Sequence, residues 1–435
     1  MNPYFHSIPY DDQYIIYLNG SMKCGLVKNK VYMSNIDQLT EHSYKLFIEN
    51  ETLFHKQKNL VLGPVGLTLN VANKCNLNCA YCYANGGVYS SSENLMNVQT
   101  AVDAVKLFAE YYHELKRIKF FGGEPFLNPD AIEATCEICK SLVKQNILRY
   151  MPDFDTVTNG TLLNQKLIDL IKTYNIAVIV SFDGIPQLHD ELRRFKNGKS
   201  SSKSILNNVK RLKKATNGLQ PSSVEVTYIH KHEEKGVSVY QCVNTVRNLL
   251  GISDVKITPV SVEKTNSLNI GNADSFIEAM ELGYKQKNID RAIVNKVNGL
   301  YNMLKLRNAS TRFFCGAGIN RFSVSPDGNI WPCYLFTDDE MYLIGNIYDP
   351  LFQFKEYEYE RRKLLSFNKL FLKQCSVCWA SSLCYGCRGN NRRLTGDADT
   401  PPEDFCKMLK DICESLLINM AEAGEIEDFE KLSLG

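Results

Sequence analysis

The sequence predicts an α/β protein: a partial (β/α)6 barrel, preceded by a small N-terminal α+β unit and followed by a cysteine-rich C-terminal domain. Three observations predict it. Short β-branched or aromatic runs alternate with amphipathic helical stretches from residue 66 onward. Nearly every unusual short sequence in that region comes directly after a strand. The cysteines gather into two dense groups, Cys75 to Cys82 and Cys375 to Cys387.

The strands are expected at LTLNVA (67–72), IKFF (118–121), DTVT (155–158), AVIVSF (177–182), VEVTYI (224–229) and VKITP (255–259). Helices fit between them at about 98–115, 129–146, 164–175, 203–216 and 236–250. Strand–helix alternation implies parallel strands joined by crossover helices. A doubly wound open sheet competes with a TIM-like partial barrel. Motif placement favours the barrel, because barrel enzymes build their sites at the C-terminal rim of the strands. Upstream, QYIIYL (13–18), the turn Asn19-Gly20 and KVYMSN (30–35) suggest short strands, and 36–48 has helical periodicity. Residues 272–307 read as a helical connector. The chain closes in an amphipathic helix over 403–422, with Phe405, Leu409, Ile412, Leu416 and Met420 on one stripe. The divisions are therefore 1–65, 66–270, 271–310 and 311–435.

The 435 residues are 44% hydrophobic and 23% charged with a net charge of +2, which calls for neither nucleic acid nor an acidic membrane surface. No apolar stretch approaches bilayer length, and the N-terminus lacks a secretory pattern, so a cytoplasmic protein is expected. Fifteen cysteines are then anomalous. Thiols stay reduced in the cytoplasm, which favours metal or redox work over disulfides. Cys24, Cys136, Cys139, Cys242 and Cys413 fit small buried hydrophobes, and the CxxC pair Cys136/Cys139 lies in a helical pattern.

Cys75, Cys79 and Cys82 have the spacing CxxxCxxC in NKCNLNCAYCYANGG. On a helix these positions share a face, so a buried cysteine stripe is the plain alternative. The interrupting Asn and Lys, the strand end before the segment and Gly86-Gly87 after it weigh against that. Zinc would want a fourth ligand, and none is local. Three thiolates on a cubane leave one iron free.

This segment, with Tyr81 before its last cysteine, resembles the signature of the radical S-adenosylmethionine (SAM) superfamily. The resemblance implies a [4Fe–4S] cluster on Cys75, Cys79 and Cys82. Its free iron would chelate SAM, and reductive cleavage would give a 5′-deoxyadenosyl radical. Further resemblances follow in order. Gly122-Gly123-Glu124-Pro125 matches the GGE motif, which presents backbone groups and a carboxylate to the SAM ammonium. Thr158-Asn159-Gly160 and Ser181-Phe182-Asp183-Gly184 resemble the ribose and methionine contact strands. Arg193 or Arg194 is expected to pair with the SAM carboxylate, and Pro259 to meet the adenine. An iron–sulfur scaffold or redox sensor is the non-enzymatic alternative, and it would need no such SAM cradle.

Farther on stand Cys315, Cys333, Cys375, Cys378, Cys384, Cys387 and Cys406. A zinc ribbon on two CxxC knuckles explains only four of them. All seven resemble the SPASM domain, which carries auxiliary clusters in peptide-modifying radical SAM enzymes. The pattern departs from that family in having two residues, Tyr385 and Gly386, where three are usual. By resemblance, Cys375, Cys378, Cys384 and Cys406 hold one [4Fe–4S] cluster. Cys315, Cys333 and Cys387 hold the other, leaving an iron open or otherwise filled.

Within this resemblance two activities compete: maturation of a ribosomally made peptide, and oxidation of a sulfatase cysteine or serine to formylglycine. Two features favour the peptide. About 65 residues precede the cluster motif and weakly resemble a leader-peptide-binding unit, and Tyr334 stands after Cys333 where sulfatase maturases carry an aspartate base. The pattern is most similar to sactipeptide and ranthipeptide synthases, which join a cysteine sulfur to a carbon of another residue. A carbon–carbon crosslinking maturase is the nearest alternative. The implied partners are a precursor peptide with its leader and an electron donor such as flavodoxin or ferredoxin. A basic run from Arg193 to Lys214 reads first as a solvated face and second as a docking surface for an acidic peptide.

Overall fold

The computed structural model describes residues 4–29, 65–89, 92–285, 295–307, 314–358 and 372–428, and singly Glu41, Lys45, Glu360 and Lys369. The chain opens with three antiparallel strands, β1 (Phe5–Tyr10), β2 (Gln13–Leu18) and β3 (Lys23–Lys28), in the order β1-β2-β3. The Asn19-Gly20 turn forms as expected, but its second strand is 23–28. The strand expected at 30–35 and the helix at 36–48 lie outside the described residues, apart from two helical positions, Glu41 and Lys45.

The barrel begins at β4 (Val65–Asn73). The loop after it carries two short strands, β5 (Leu77–Cys79) and β6 (Asn94–Leu95). Then come α1 (Val98–Tyr112), β7 (Leu115–Gly122), α2 (Pro129–Lys144), β8 (Asp153–Thr158), α3 (Gln165–Tyr174) and β9 (Ala177–Ser181). They are followed by α4 (Pro186–Leu192), β10 (Arg193–Phe195), α5 (Ser202–Ala215), β11 (Ser223–Tyr228), α6 (His230–Glu234), α7 (Val239–Leu250) and β12 (Val255–Pro259). Helix starts are chemically marked. Asn97 Oδ1 accepts from Gln99 N at 2.8 Å, Asn164 Oδ1 from Leu167 N at 3.0 Å, and Ser238 with Gln241 forms a capping box. Asn128 caps α2 and also donates to the carbonyls of Val71 and Met96, both at 2.8 Å, which ties that helix to β4.

After the barrel come α8 (Asp274–Lys285) and α9 (Asn295–Leu306). The C-terminal region holds β13 (Arg321–Val324), β14 (Asn329–Trp331), β15 (Gly345–Asn346), α10 (Arg388–Thr395) and α11 (Glu403–Glu422). In the main sheet the strand order is β12-β11-β9-β8-β7-β4-β13-β14-β15. Strands β4, β7, β8, β9, β11 and β12 pair in parallel, as the alternation predicts. β13 also joins β4 in parallel, with Arg321 opposite Gly66, so the C-terminal region continues the barrel sheet.

Alternation along each strand separates two environments. Val178, Val180, Val224 and Val226 face the helices and are buried. Lys119, Glu225, Thr227 and Thr258, on the opposite face, line a cavity inside the barrel. Cys136 and Cys139 are fully buried on α2 within the hydrophobic core, as expected. The N-terminal sheet packs against the C-terminal region: His6 stacks on Trp379 at 4.0 Å, and Leu26 N donates to the Glu427 carbonyl at 3.0 Å. Among the described residues no helix is long and apolar enough to cross a membrane.

Candidate active site and cysteine centres

The CxxxCxxC segment is not a helix. It leaves β4 as a loop, and its short strand β5 pairs antiparallel with β10, setting Cys79 opposite Arg193. Cys75, Cys79 and Cys82 line one cavity of about 410 Å³ at the C-terminal ends of the barrel strands. Gly122, Gly123, Thr158, Asn159, Ser181, Arg193 and Pro259 line the same cavity. Burial raises the Cys75 thiol to about 12 and the Cys79 thiol to about 11.

The glycines explain how the loops meet. A Cβ on Gly123 would stand 2.4 Å from the Lys74 carbonyl oxygen and 2.9 Å from Gly87 Cα. One on Gly122, where φ is +128°, would stand 2.2 Å from the Ala72 carbonyl oxygen. Backbone therefore lies on backbone, joined by Gly123 N to Ala72 O at 2.7 Å and Glu124 N to Lys74 O at 2.9 Å. The Glu124 carboxylate is turned inward and does not line the cavity. It accepts from Thr158 Oγ1 and Asn159 N, each at 2.7 Å, and from Phe126 N at 3.0 Å. The glutamate thus ties the β7 and β8 ends together, and Pro125 begins the buried turn behind it. Burial lifts the Glu124 carboxyl to about 7 against the pull of those hydrogen bonds. Asn159 Nδ2 reaches toward Cys75 Sγ at 3.7 Å and donates to Asn76 Oδ1 at 2.9 Å.

Arg193 and Arg194 separate because neighbouring strand residues face opposite ways. Arg193 turns into the cavity, while Arg194 turns out and donates to the Asp190 carbonyl at 2.9 Å. Asp183 stands behind the wall, fully buried. It accepts from Arg193 Nε at 2.8 Å, from Thr227 N at 3.0 Å and from the Tyr81 hydroxyl. Burial alone would raise the Asp183 carboxyl, but Arg193, His189 and these hydrogen bonds hold it below its ordinary value. Tyr81 and Asp183 therefore fix the guanidinium.

Cys375, Cys378, Cys384 and Cys406 line a second cavity, of about 550 Å³, with Trp379 and Glu414. Cys333 lies close enough to Cys387 and Cys315 for both to add to the effect of burial, which raises its thiol strongly. Among the described residues no three or more Cys, His, Asp or Glu side chains converge as ligands of a single ion would. Cys375, Cys378, Cys384 and Cys406 border the open space of the second cavity.

Residues 69–236 match the model of the radical SAM superfamily. Over that stretch the chain is similar to the radical SAM superfamily. Among curated proteins it is similar to uncharacterized protein MJ0907 of Methanocaldococcus jannaschii, 37% identical over 34% of this chain and 48% of that one. It resembles the radical SAM cyclopropyl synthase TigE of Paramaledivibacter caminithermalis, 33% identical over 36% of this chain and 34% of that one. The subtilosin biosynthesis protein AlbA of Bacillus subtilis is 25% identical over 66% of this chain and 58% of its own. The chain thus spans between a third and three-fifths of these relatives. In fold it is similar to native anSMEcpe with bound AdoMet, with a TM-score of 0.67, 20% identity and coverage of 83% of this chain and 100% of that one. It is also similar to Streptococcus suis SuiB bound to precursor peptide SuiA, with a TM-score of 0.56, 12% identity and coverage of 93% and 99%.

The cavity also has lining residues that the motifs did not reveal. Glu225, Thr227 and Thr258 carry no local signature, because only strand register turns them inward. Tyr334, Asn390 and Arg393 reach the cavity from the C-terminal region. Tyr334 packs on Phe121 with ring centroids 4.2 Å apart, and Arg393 Nη2 donates to Ser261 Oγ at 2.8 Å. Their signal was proximity in sequence to Cys333 and Cys387. Part of the basic run does structural work: Arg211 donates to the Leu163 carbonyl at 3.2 Å, Lys213 to Gly251 at 2.7 Å, and Lys196 pairs with Glu93.

Proposed function

We propose that this radical SAM protein is a peptide maturase that forms a thioether between a cysteine sulfur and a carbon of another residue in a ribosomally synthesised precursor peptide. Cys75, Cys79 and Cys82 would hold the SAM-binding [4Fe–4S] cluster. Gly122, Gly123, Thr158, Asn159, Ser181 and Arg193 would cradle SAM, with Glu124, Tyr81 and Asp183 setting their positions. Cys375, Cys378, Cys384 and Cys406 would hold one auxiliary cluster of a SPASM domain, and Cys315, Cys333 and Cys387 the other. When bound, the cluster and SAM supply a 5′-deoxyadenosyl radical that removes a hydrogen atom from the substrate.

The chain's own residues orient the reactants. The Gly87–Gly123 contact fixes the cysteine loop against the β7 end. Asp183 holds the Arg193 fork ready for a carboxylate. The glycine-backed floor leaves main-chain groups open to a ligand. The thiols of Cys333 and Cys387 lie near Tyr334, which enters the cavity, so a peptide held there would lie between both centres. An electron donor such as flavodoxin or ferredoxin and a leader peptide near residues 1–65 complete the proposal.

One observation favours thioether formation over formylglycine formation. At the position after Cys333 the cavity wall presents Tyr334, whose phenol burial pushes far above its ordinary value, and the cavity's carboxylate, Glu225, comes from β11 instead. The similarity to AlbA, named for biosynthesis of the bacteriocin subtilosin, supports a peptide product. The test is anaerobic reconstitution with SAM, a reductant and a cysteine-containing precursor peptide, following 5′-deoxyadenosine and peptide mass together. Loss of two hydrogens per link with blocked thiols is expected. The same loss with free thiols would redirect the assignment to a carbon–carbon link. Absence of deoxyadenosine from iron-loaded protein would end the radical reading.

A further inference from the structure

The N-terminal sheet does more than pack nearby: it grips the segment that carries three of the four clustered cysteines. We infer that Asn19 is a positioning residue for the Cys375, Cys378, Cys384 and Cys406 site, so that the β2–β3 turn is a working part of that site. This rests on the proposal that those cysteines hold a cluster.

Asn19 is 1% exposed. Its Nδ2 donates to the Cys378 carbonyl at 3.3 Å and to Ser381 Oγ at 2.8 Å. Its Oδ1 accepts from Ser382 N at 3.0 Å, and its carbonyl accepts from Ser382 Oγ at 2.7 Å. One side chain and its own backbone thus bind three residues of the Cys375–Cys384 segment. Buried Trp379, Ala380 and Leu383 anchor that segment, and Lys369 Nζ donates to the Cys384 carbonyl at 2.9 Å. The segment runs as tight turns, with Cys378 N to Cys375 O at 3.1 Å and Cys384 N to Ser381 O at 3.2 Å. A buried amide with both ends satisfied is specific in a way that apolar packing is not.

A second contact reaches the same cavity. His6 of β1 stacks on Trp379 at 4.0 Å and 5° and bonds Glu414 through Nε2 at 2.6 Å. Trp379 and Glu414 both line the four-cysteine cavity, one from the turn segment and one from α11. The sheet therefore orders the cavity from outside the thiols, as partners behind metal ligands do.

The test uses the full-length chain reconstituted anaerobically, read by iron content and by the electron paramagnetic resonance (EPR) signal of each reduced cluster. Cys406→Ala first identifies the signal of the four-cysteine site and its share of iron, about four irons per chain for a cubane. Asn19→Ala is expected to lose or broaden that signal and most of that iron, and to keep the signal that SAM perturbs. Asn19→Asp, which retains an acceptor for Ser382 N but loses both donor bonds, is expected to fall between. Lys28→Ala, exposed at the end of β3, should match the parent. Parental iron and an unshifted signal in Asn19→Ala overturn the inference while leaving the cluster assignment standing. Equal loss of every signal also overturns it, because the effect would then be general unfolding. No iron loss in Cys406→Ala removes the cluster assignment and the inference together.

Discussion

Gly123→Ala is the sharpest probe of the SAM cradle. The added methyl carbon would lie 2.4 Å from the Lys74 carbonyl oxygen, where ordinary contact begins at 3.4 Å. Its other near neighbours, Lys74 C at 2.6 Å and Gly87 Cα at 2.9 Å, are also backbone, so no flexible side chain can yield. The loop holding Cys75 must move by about 1 Å, a misplacement that typically costs about 100-fold in rate, or about 2.7 kcal/mol of barrier. The assay is 5′-deoxyadenosine formation at saturating SAM and excess reductant, normalised to iron. Gly86→Ala is the control: φ there is +70°, but a Cβ meets nothing within 4 Å. It should cost about 1–2 kcal/mol of backbone strain and keep the rate within about threefold of the parent. The reasoning is refuted if Gly123→Ala also stays within about threefold, or if both variants lose rate equally.

Burial raises the Glu124 carboxyl from 4.5 to about 7, so between those values the folded chain keeps a proton that the unfolded chain has released. Stability of the iron-free protein should therefore fall as pH rises through that window, by at most about 3 kcal/mol; Glu124→Gln should flatten the slope in urea titrations at pH 5 and pH 7.5. Asp183→Asn leaves the Arg193 guanidinium buried without its carboxylate, which should cost about 3–5 kcal/mol and weaken SAM binding in equilibrium titration; unchanged melting would contradict it. Cys136→Ala with Cys139→Ala should leave iron content at the parental level and lower stability by about 1 kcal/mol each, since both thiols sit in the α2 core.

The barrel was readable because its signals are local. Strand runs, Asn and Ser caps and the 403–422 stripe each announce themselves within a few residues. The cysteine cavities were readable because thiols at these spacings have few other uses. What the sequence concealed depends on long-range register. Lys23–Lys28 has weak strand character of its own, so its pairing with Gln13–Leu18 was not announced by the sequence. Glu124 was expected to face the ligand, yet it accepts from Thr158 and Asn159 at the end of β8 and from Phe126 N in its own turn. Glu225 gives no sign in sequence of facing the cavity, and Asn19 reads only as a turn residue. Its partners lie 359 to 363 positions away.

The parallel pairing of β13 with β4 has a consequence for synthesis. On the ribosome, β4 emerges early, and β7 follows to cover one side of it. Its other side waits for Arg321–Val324, which emerge only after the remaining barrel strands. For most of translation, Gly66–Leu69 present a bare strand edge with the apolar Leu67 and Leu69 beside it, a template for unwanted pairing. A fragment ending at residue 310 would keep that edge for good. The nascent chain should accordingly depend on chaperones until its last third has been made.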